Sequence, residues 1–293
     1  MTVPPRSVEL ADGRTLAVAE AGDPDGHPVF FLHGTPGSRN LYPPHAEDAR
    51  RQGIRLIGHD RPGYGGSTPK EGRRVGDAAE DVRAIADILG IDRFAVWGYS
   101  GGGAPALACA ARLPGRAVAV ACVAGVAPLD AEGLDWLAGM GEKNVEDFRS
   151  MQRDRATWEK TVRDEAIGLR DAVGDDLSGR WATLLSPTDR AALTPPLASY
   201  FAMCARGAAS FDGAGIRDDG LSEALPWGFD VSAIATPLQL WHGGQDRFVP
   251  FSHGQWLAAR IPRAEAHLDP DEGHLTLYTR RVPEVHRWLV SHF

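Results

Sequence analysis

Hydrophobic residues along the chain gather in short runs, and each run closes on glycine or a polar turn. The runs are PVFFLHG (28–34), IRLIGHD (54–60), FAVWGYS (94–100), AVAVACVAG (117–125), PLQLWHG (237–243) and the weaker AEAHLD (264–269). Polar and apolar positions do not alternate within them. Strands buried on both faces have this pattern, which predicts a parallel sheet covered by helices on each side. Before the first run, 7–10 and 15–19 flank Asp12-Gly13, which predicts a β-hairpin with a tight turn.

Helical periodicity fills the gaps. In 77–89, Val82, Ile85, Ile88 and Leu89 fall on one stripe and Gly90 supplies a stop. An Ala-rich helix over 104–113 ends at Pro114, and helices over 252–260 and 283–293 complete the set. Strand and helix in alternation predict an α/β fold with a mostly parallel, doubly wound sheet. The alternation fails between Leu129 and Trp227, where helical periodicity is broken at Gly174, Pro187, Pro195-Pro196 and Gly213-Gly215. The expected organisation is therefore a core made of 1–128 and 229–293, with a helical cap inserted at 129–228.

Composition narrows the function. The formal net charge is −8, and residues 130–228 hold 18 of the 39 acidic side chains but only 11 of the 31 basic ones. This reads as a solvated helical surface, or else as an insert that repels anionic substrates. Nothing supplies the basic field that nucleic acid or an anionic membrane would require. The longest uncharged apolar stretch, 117–128, is too short to span a bilayer, and the first residues lack a secretory apolar core. A soluble cytoplasmic protein with a small-molecule substrate is expected. Cys109, Cys122 and Cys204 are odd in number and none lies in a CxxC, so neither a disulfide framework nor a zinc site is expected. Cys109 and Cys122 read as small buried hydrophobes. No metal or organic cofactor is indicated.

The candidate chemistry centres on Ser100. It stands where the strand FAVWGY meets a helix, within Gly98-Tyr99-Ser100-Gly101-Gly102. A sharp strand-to-helix turn strains the serine backbone, and glycine two residues to either side avoids a clash. Its hydroxyl then projects above the carboxyl edge of the sheet, next to free N–H groups of a helix N-terminus. Serine needs a base, and the base needs a group to orient it. Asp246, after the strand 237–243, and His274, in the loop after the last strand, supply both in the order Ser, acid, His. Asp130 remains an alternative acid. Among the other histidines, His267 lies within a strand pattern, His242 ends a strand too early, and His286 and His292 lie on the terminal helix. The turn HGTPGSR (33–39) follows the first central strand, and its Thr35 N–H opposite the Gly101 N–H would complete an oxyanion hole. Asp60 and Arg61, in DRPGYGGS (60–67), read as support for their loop.

Taken together, H-G-x-P, D-R-P-G-Y-G-x-S, G-Y-S-G-G, H-G-x-x-D-x-x-V-P and G-H, in that order, resemble the α/β-hydrolase superfamily over nearly the whole chain. The resemblance implies that fold, with Ser100 as nucleophile, His274 as base, Asp246 as its orienter, and Thr35 and Gly101 as oxyanion donors. Serine at the turn argues against the haloalkane dehalogenase and epoxide hydrolase branches, which use aspartate there. The HGTPG and DRPG turns are similar to those of proline iminopeptidases, although Thr35 replaces the usual glycine. The leading expectation is a serine hydrolase for carboxylic esters of small, uncharged or apolar substrates. The alternatives are an aminopeptidase for N-terminal proline, with Glu132, Glu142, Glu146 or Asp147 binding the substrate ammonium, and a non-hydrolytic lyase or ligand-binding protein. Tyr99, Trp136, Trp158, Phe201 and Trp227 are candidate substrate contacts, with Phe148 and Phe211 as further aromatic residues of the insert. The competing expectation for the insert aromatics is that they form its own core.

Overall fold

The six apolar runs form the six parallel strands of one eight-stranded sheet in a computed structural model that describes residues 3–293. The strands are β1 (Val3–Glu9), β2 (Thr15–Gly22), β3 (His27–Leu32), β4 (Ile54–His59), β5 (Phe94–Tyr99), β6 (Ala117–Val123), β7 (Leu238–Gly243) and β8 (Ala264–Asp269). Their order across the sheet is β1-β2-β4-β3-β5-β6-β7-β8. The hairpin β1–β2 joins β4 antiparallel, and every pairing from β4 through β8 is parallel. The weak pattern of 264–269 has a physical cause: β8 is an edge strand, so its side chains are half-buried or exposed.

Both faces of the sheet are buried, and alternate residues of each strand serve different layers. Phe30, Leu32, Val96, Val120, Leu238 and Leu240 pack with Val82 and Ile85 of α2 (Ala78–Ile88), Leu107 of α3 (Gly103–Arg112) and Leu257 of α10 (Phe251–Arg260). Val29, Phe31, Ala95, Trp97, Ala119 and Ala121 face the opposite way. They meet Ala49 of α1 (Pro43–Arg51), Leu277 of α11 (His274–Arg280), and Val285 and Leu289 of α12 (Val282–Val290). This two-sided burial is why the runs lack period-2 alternation.

Two local expectations need correction. Ile88 is 53% exposed. At 100° per residue it points about 120° away from Val82, and Ala86 takes the inward place beside Ile85. The helix expected over 283–293 forms as α12, but a further helix precedes it. Residues 274–280, HLTLYTR, alternate in a strand-like way, yet they form α11, so His274 is a first helical residue rather than a loop residue.

Between β6 and β7 lie six helices: α4 (Glu142–Arg153), α5 (Arg155–Gly168), α6 (Gly174–Arg180), α7 (Pro187–Ala192), α8 (Pro195–Arg206) and α9 (Ala214–Glu223). Among the described residues this insert contributes no strand. Among the described residues, too, no helix is long and apolar enough to cross a membrane.

Candidate active site

Ser100 adopts a left-handed backbone conformation, φ +55°, between β5 and the short 3-10 turn Ser100–Gly102 that leads into α3. Such a conformation strains a residue with a β-carbon, and surrounding structure has to hold it. The flanking glycines make the close fit possible. A β-carbon on Gly98 would run into the backbone of Gly102, and one on Gly102 would run into the carbonyl oxygens of Leu32 and His33. The 3-10 turn continues directly into α3, so the first N–H groups after Ser100 lack helical acceptors.

His274 and Asp246 meet at the neighbouring strand ends. His274 Nδ1 lies 2.6 Å from Asp246 Oδ2, with both side chains almost completely buried. Asp246 Oδ1 accepts the backbone N–H groups of Phe248, at 2.8 Å, and Val249, at 2.9 Å. The carboxylate is thus fixed by its own turn and accepts the Nδ1 proton, leaving Nε2 as the basic nitrogen. The ring of Phe248 stacks on the imidazole at 4.5 Å, and Tyr99 donates its hydroxyl to the His274 carbonyl at 3.3 Å. His242 is the nearest competitor, 4.0 Å from Asp246, but its Nε2 bonds to the Val249 carbonyl and burial pushes its pKa down. Asp130 is exposed and has no part in this pair.

The loop after β3 passes directly over Ser100. A β-carbon on Gly34 would lie 3.2 Å from Ser100 Cβ, and one on Gly101 would lie 3.2 Å from the backbone nitrogen of Thr35. Among the described residues nothing accepts from the Thr35 N–H. His33 holds this loop from beneath: its Nδ1 bonds to the Gly34 carbonyl at 2.8 Å and its Nε2 accepts the Arg61 N–H at 3.2 Å. Burial, and then the Arg61 charge, keep its pKa well below the usual histidine value, so the ring is neutral.

Ser100, His274, Thr35 and Gly101 share one cavity of about 430 Å³ between the sheet and the insert. Its walls are largely apolar, with Phe31, Phe148, Trp158, Trp181 and Phe201 prominent. Among the described residues Ser100 Oγ makes no hydrogen bond, and Ser100 and His274 both line this cavity. Catalytic hydrogen bonds are often long before substrate binds. Tyr99, Trp158 and Phe201 line the cavity as expected. Trp136 and Trp227 do not. Trp136 donates to the Ala127 carbonyl and packs on His253, and Trp227 packs on Phe229 in the core beneath α2 and α3. Each is a core residue because it lies at a junction of the insert with the sheet layer. Phe211 is 51% exposed and also lies outside the cavity. Of Glu132, Glu142, Glu146 and Asp147, only Asp147 lines it.

The sequence model described as alpha/beta hydrolase fold matches residues 27–280, most of the chain and every strand from β3 to β8. The chain belongs to the α/β-hydrolase family. The AB hydrolase superfamily protein YisY of Bacillus subtilis (strain 168) is 27% identical over 273 residues, covering 91% of each chain. A solved alpha/beta hydrolase fold protein from Nakamurella multipartita is 26% identical, with a TM-score of 0.66, covering 98% of this chain and 99% of its own. The bifunctional esterase/perhydrolase DCH of Acinetobacter calcoaceticus is 31% identical over 122 residues, which span 41% of this chain and 44% of that protein. The protein is thus an enzyme of the hydrolase class.

In this α/β-hydrolase the insert reaches into the site through side chains that no sequence pattern marks. Asp189 of α7 accepts the backbone N–H groups of His274 at 3.0 Å, Leu275 at 2.7 Å and Thr276 at 3.3 Å. Burial raises its pKa, although the neighbouring His274 and these N–H groups oppose the rise. Asp219 of α9 meets the other side, beside Thr35. Burial alone would raise the Asp219 pKa, but the guanidinium groups of Arg61 and Arg73 hold it far below the usual carboxylate range. Glu223, one turn further along α9, lines the cavity; burial and then the Asp219 charge push its pKa up to about 8.

Proposed function

We propose that this α/β-hydrolase cleaves carboxylic esters of small, uncharged or apolar substrates through an acyl-enzyme. The observation that carries the reading is the strained, glycine-flanked Ser100 facing the same cavity as His274, whose Nδ1 lies 2.6 Å from buried Asp246. Ser100 Oγ attacks the ester carbonyl carbon while its proton passes to His274 Nε2. The carbonyl oxygen becomes an oxyanion that accepts the Thr35 and Gly101 N–H groups. Collapse of the tetrahedral species breaks the bond to the alcohol oxygen, which leaves with the proton from His274. Water then attacks the acyl-enzyme, gives a proton to Nε2, and the second collapse returns that proton to Ser100 Oγ as the acid departs. Asp246 keeps the Nδ1 proton in place and stabilises the imidazolium in both halves.

Several features support the substrate class. The cavity walls are mainly aromatic and aliphatic, and its volume suits a small molecule. An esterase/perhydrolase is among the relatives. Segment 129–228 acts as a cap that closes the cavity from above and keeps bulk water from the acyl-enzyme.

A second reading, aminopeptidase action on N-terminal proline, draws on Asp147 in the cavity wall. Trp158 Nε1 already donates to that carboxylate at 2.9 Å, and burial raises its pKa, which disfavours the anion an ammonium group needs. The ester reading is therefore preferred. Its test is Ser100→Ala assayed with p-nitrophenyl acetate, with circular dichroism as the folding control. Near-complete loss of turnover is expected, and retained turnover overturns the assignment. Comparing proline naphthylamide with a naphthyl ester separates the two readings.

A further inference from the structure

Asp219 makes five hydrogen bonds from the insert to the core, and its side chain is only 5% exposed. Its Oδ2 accepts the Thr35 hydroxyl at 2.5 Å, Arg61 Nη2 at 2.5 Å and the Tyr64 hydroxyl at 2.6 Å. Its Oδ1 accepts Arg73 Nη2 at 2.5 Å and Arg61 Nε at 3.3 Å. Arg61 in turn donates to the His33 carbonyl, to the Gly34 carbonyl at 3.3 Å and to Thr35 Oγ1 at 2.9 Å. The Thr35 side chain therefore sits between a carboxylate that accepts its hydrogen bond and a guanidinium that donates to its oxygen.

One consequence concerns a single peptide plane. The Gly34 carbonyl and the Thr35 N–H belong to the same peptide unit, and that unit is trans, since the one cis bond among the described residues is the next one, Thr35–Pro36. In a trans peptide the C=O and N–H point in opposite directions. Arg61 and His33 both grip the carbonyl end. The N–H end therefore points away from Arg61 and His33, and the Thr35 nitrogen lies beside Gly101, against which the loop packs. Asp219 fixes Arg61 on one side and the Thr35 hydroxyl on the other. Without that carboxylate, two buried guanidinium groups would lack their shared counter-ion.

We propose that Asp219, on the insert helix α9, is a positioning residue that sets the direction of the Thr35 N–H over Ser100. The inference rests on the reading of that N–H as an oxyanion donor. The cap then does more than cover the cavity: its seating on the core fixes one of the two groups that meet the developing negative charge. Preorganised donors act only if aimed before the reaction begins, so a slackened loop lowers kcat more than it weakens substrate binding.

The test uses the full chain with Asp219→Asn, Thr35→Val and Thr35→Ser. Thr35→Val keeps the backbone N–H, the β-branched shape and the Asp219–Arg61–Arg73 charges, and removes the hydroxyl that donates to Asp219 and accepts from Arg61. With p-nitrophenyl acetate, Asp219→Asn and Thr35→Val are each expected to lower kcat by about tenfold or more while KM stays within about threefold. Thr35→Ser, which restores the hydroxyl, is expected to return kcat to within about threefold of the parent enzyme. The rate of Ser100 labelling by a fluorophosphonate should follow the same order. If Asp219→Asn fails to fold, Thr35→Val decides alone. Parental kcat in a folded Thr35→Val overturns the proposal, as does a loss that appears only in KM. A parent enzyme that neither turns over ester nor labels at Ser100 removes the acyl-enzyme ester reading itself, and this inference with it.

Discussion

Asp189 accepts the backbone N–H of His274 at 3.0 Å, so a carboxylate of the insert caps the helix that carries the candidate base. Asp246 holds the imidazole and Asp189 holds the main chain beneath it. Replacing Asp189 by Asn keeps one acceptor but turns an amide donor towards a row of N–H groups. Hydrogen bonds to a charged partner contribute about 1.5–3 kcal/mol, and a loss of that size in folding stability is expected. Urea unfolding measures it, and the same variant should show reduced kcat towards ester. An unchanged midpoint together with parental kcat would show that the contact does neither job.

Asp246→Asn tests the other hold. The amide can donate to Nδ1 and favour the wrong tautomer, leaving the proton on Nε2, where it blocks acceptance from Ser100. A fall in kcat of about four orders of magnitude is expected, with folding retained. A fall of less than tenfold would mean that another group orients the ring.

The glycines around Ser100 permit a stability comparison. Gly102 has an ordinary φ of −84°, so the cost of a β-carbon there is purely steric: it meets two backbone carbonyl oxygens that cannot rotate away. Gly102→Ala should destabilise the fold by about 3 kcal/mol. Gly13 has φ +82° with open space around it, so Gly13→Ala should cost only the conformational strain, about 1 kcal/mol. Equal costs in thermal or urea unfolding would refute the steric account of the turn at Ser100.

Glu223 gives a pH signature. Its pKa is pushed up to about 8 from an ordinary value near 4.5, by burial and then by Asp219, with Arg61 and Arg73 opposing and Asp147 adding to the rise. Between those two values the folded state binds more protons than the unfolded one, so stability falls as pH rises through that window. Glu223→Gln removes the titration. The variant should gain most over the parent near pH 8 and least near pH 5, as measured by thermal unfolding at both. A gain that is the same at both values would exclude this linkage.

Much of this was readable from the chain alone. The six apolar runs specified six strands, because a strand buried on both faces needs nothing beyond its own neighbours to look apolar. Gly98 and Gly102 marked the turn at Ser100 because a local clash dictates them. The pairing of Asp246 with His274 followed from the order of strand ends. Less was readable where two elements compete for one surface. HLTLYTR alternates like a strand but folds as α11, a short helix whose first five residues, His274 to Tyr278, are all buried, so no one-sided apolar stripe marks it as helical. Trp136, Trp158, Trp181 and Trp227 are equally aromatic, yet only Trp158 and Trp181 face the cavity.

The chain by itself determined the succession of strands and helices, the strained serine turn and the residues available for acid–base chemistry, since each depends on local sterics and periodicity. Only the tertiary structure decided that Asp189 and Asp219 brace His274 and Thr35, contacts spanning 85 and 184 positions of chain. Periodicity says which face of α7 or α9 is buried. It says nothing of what lies opposite, because that is set by how the insert seats on the sheet.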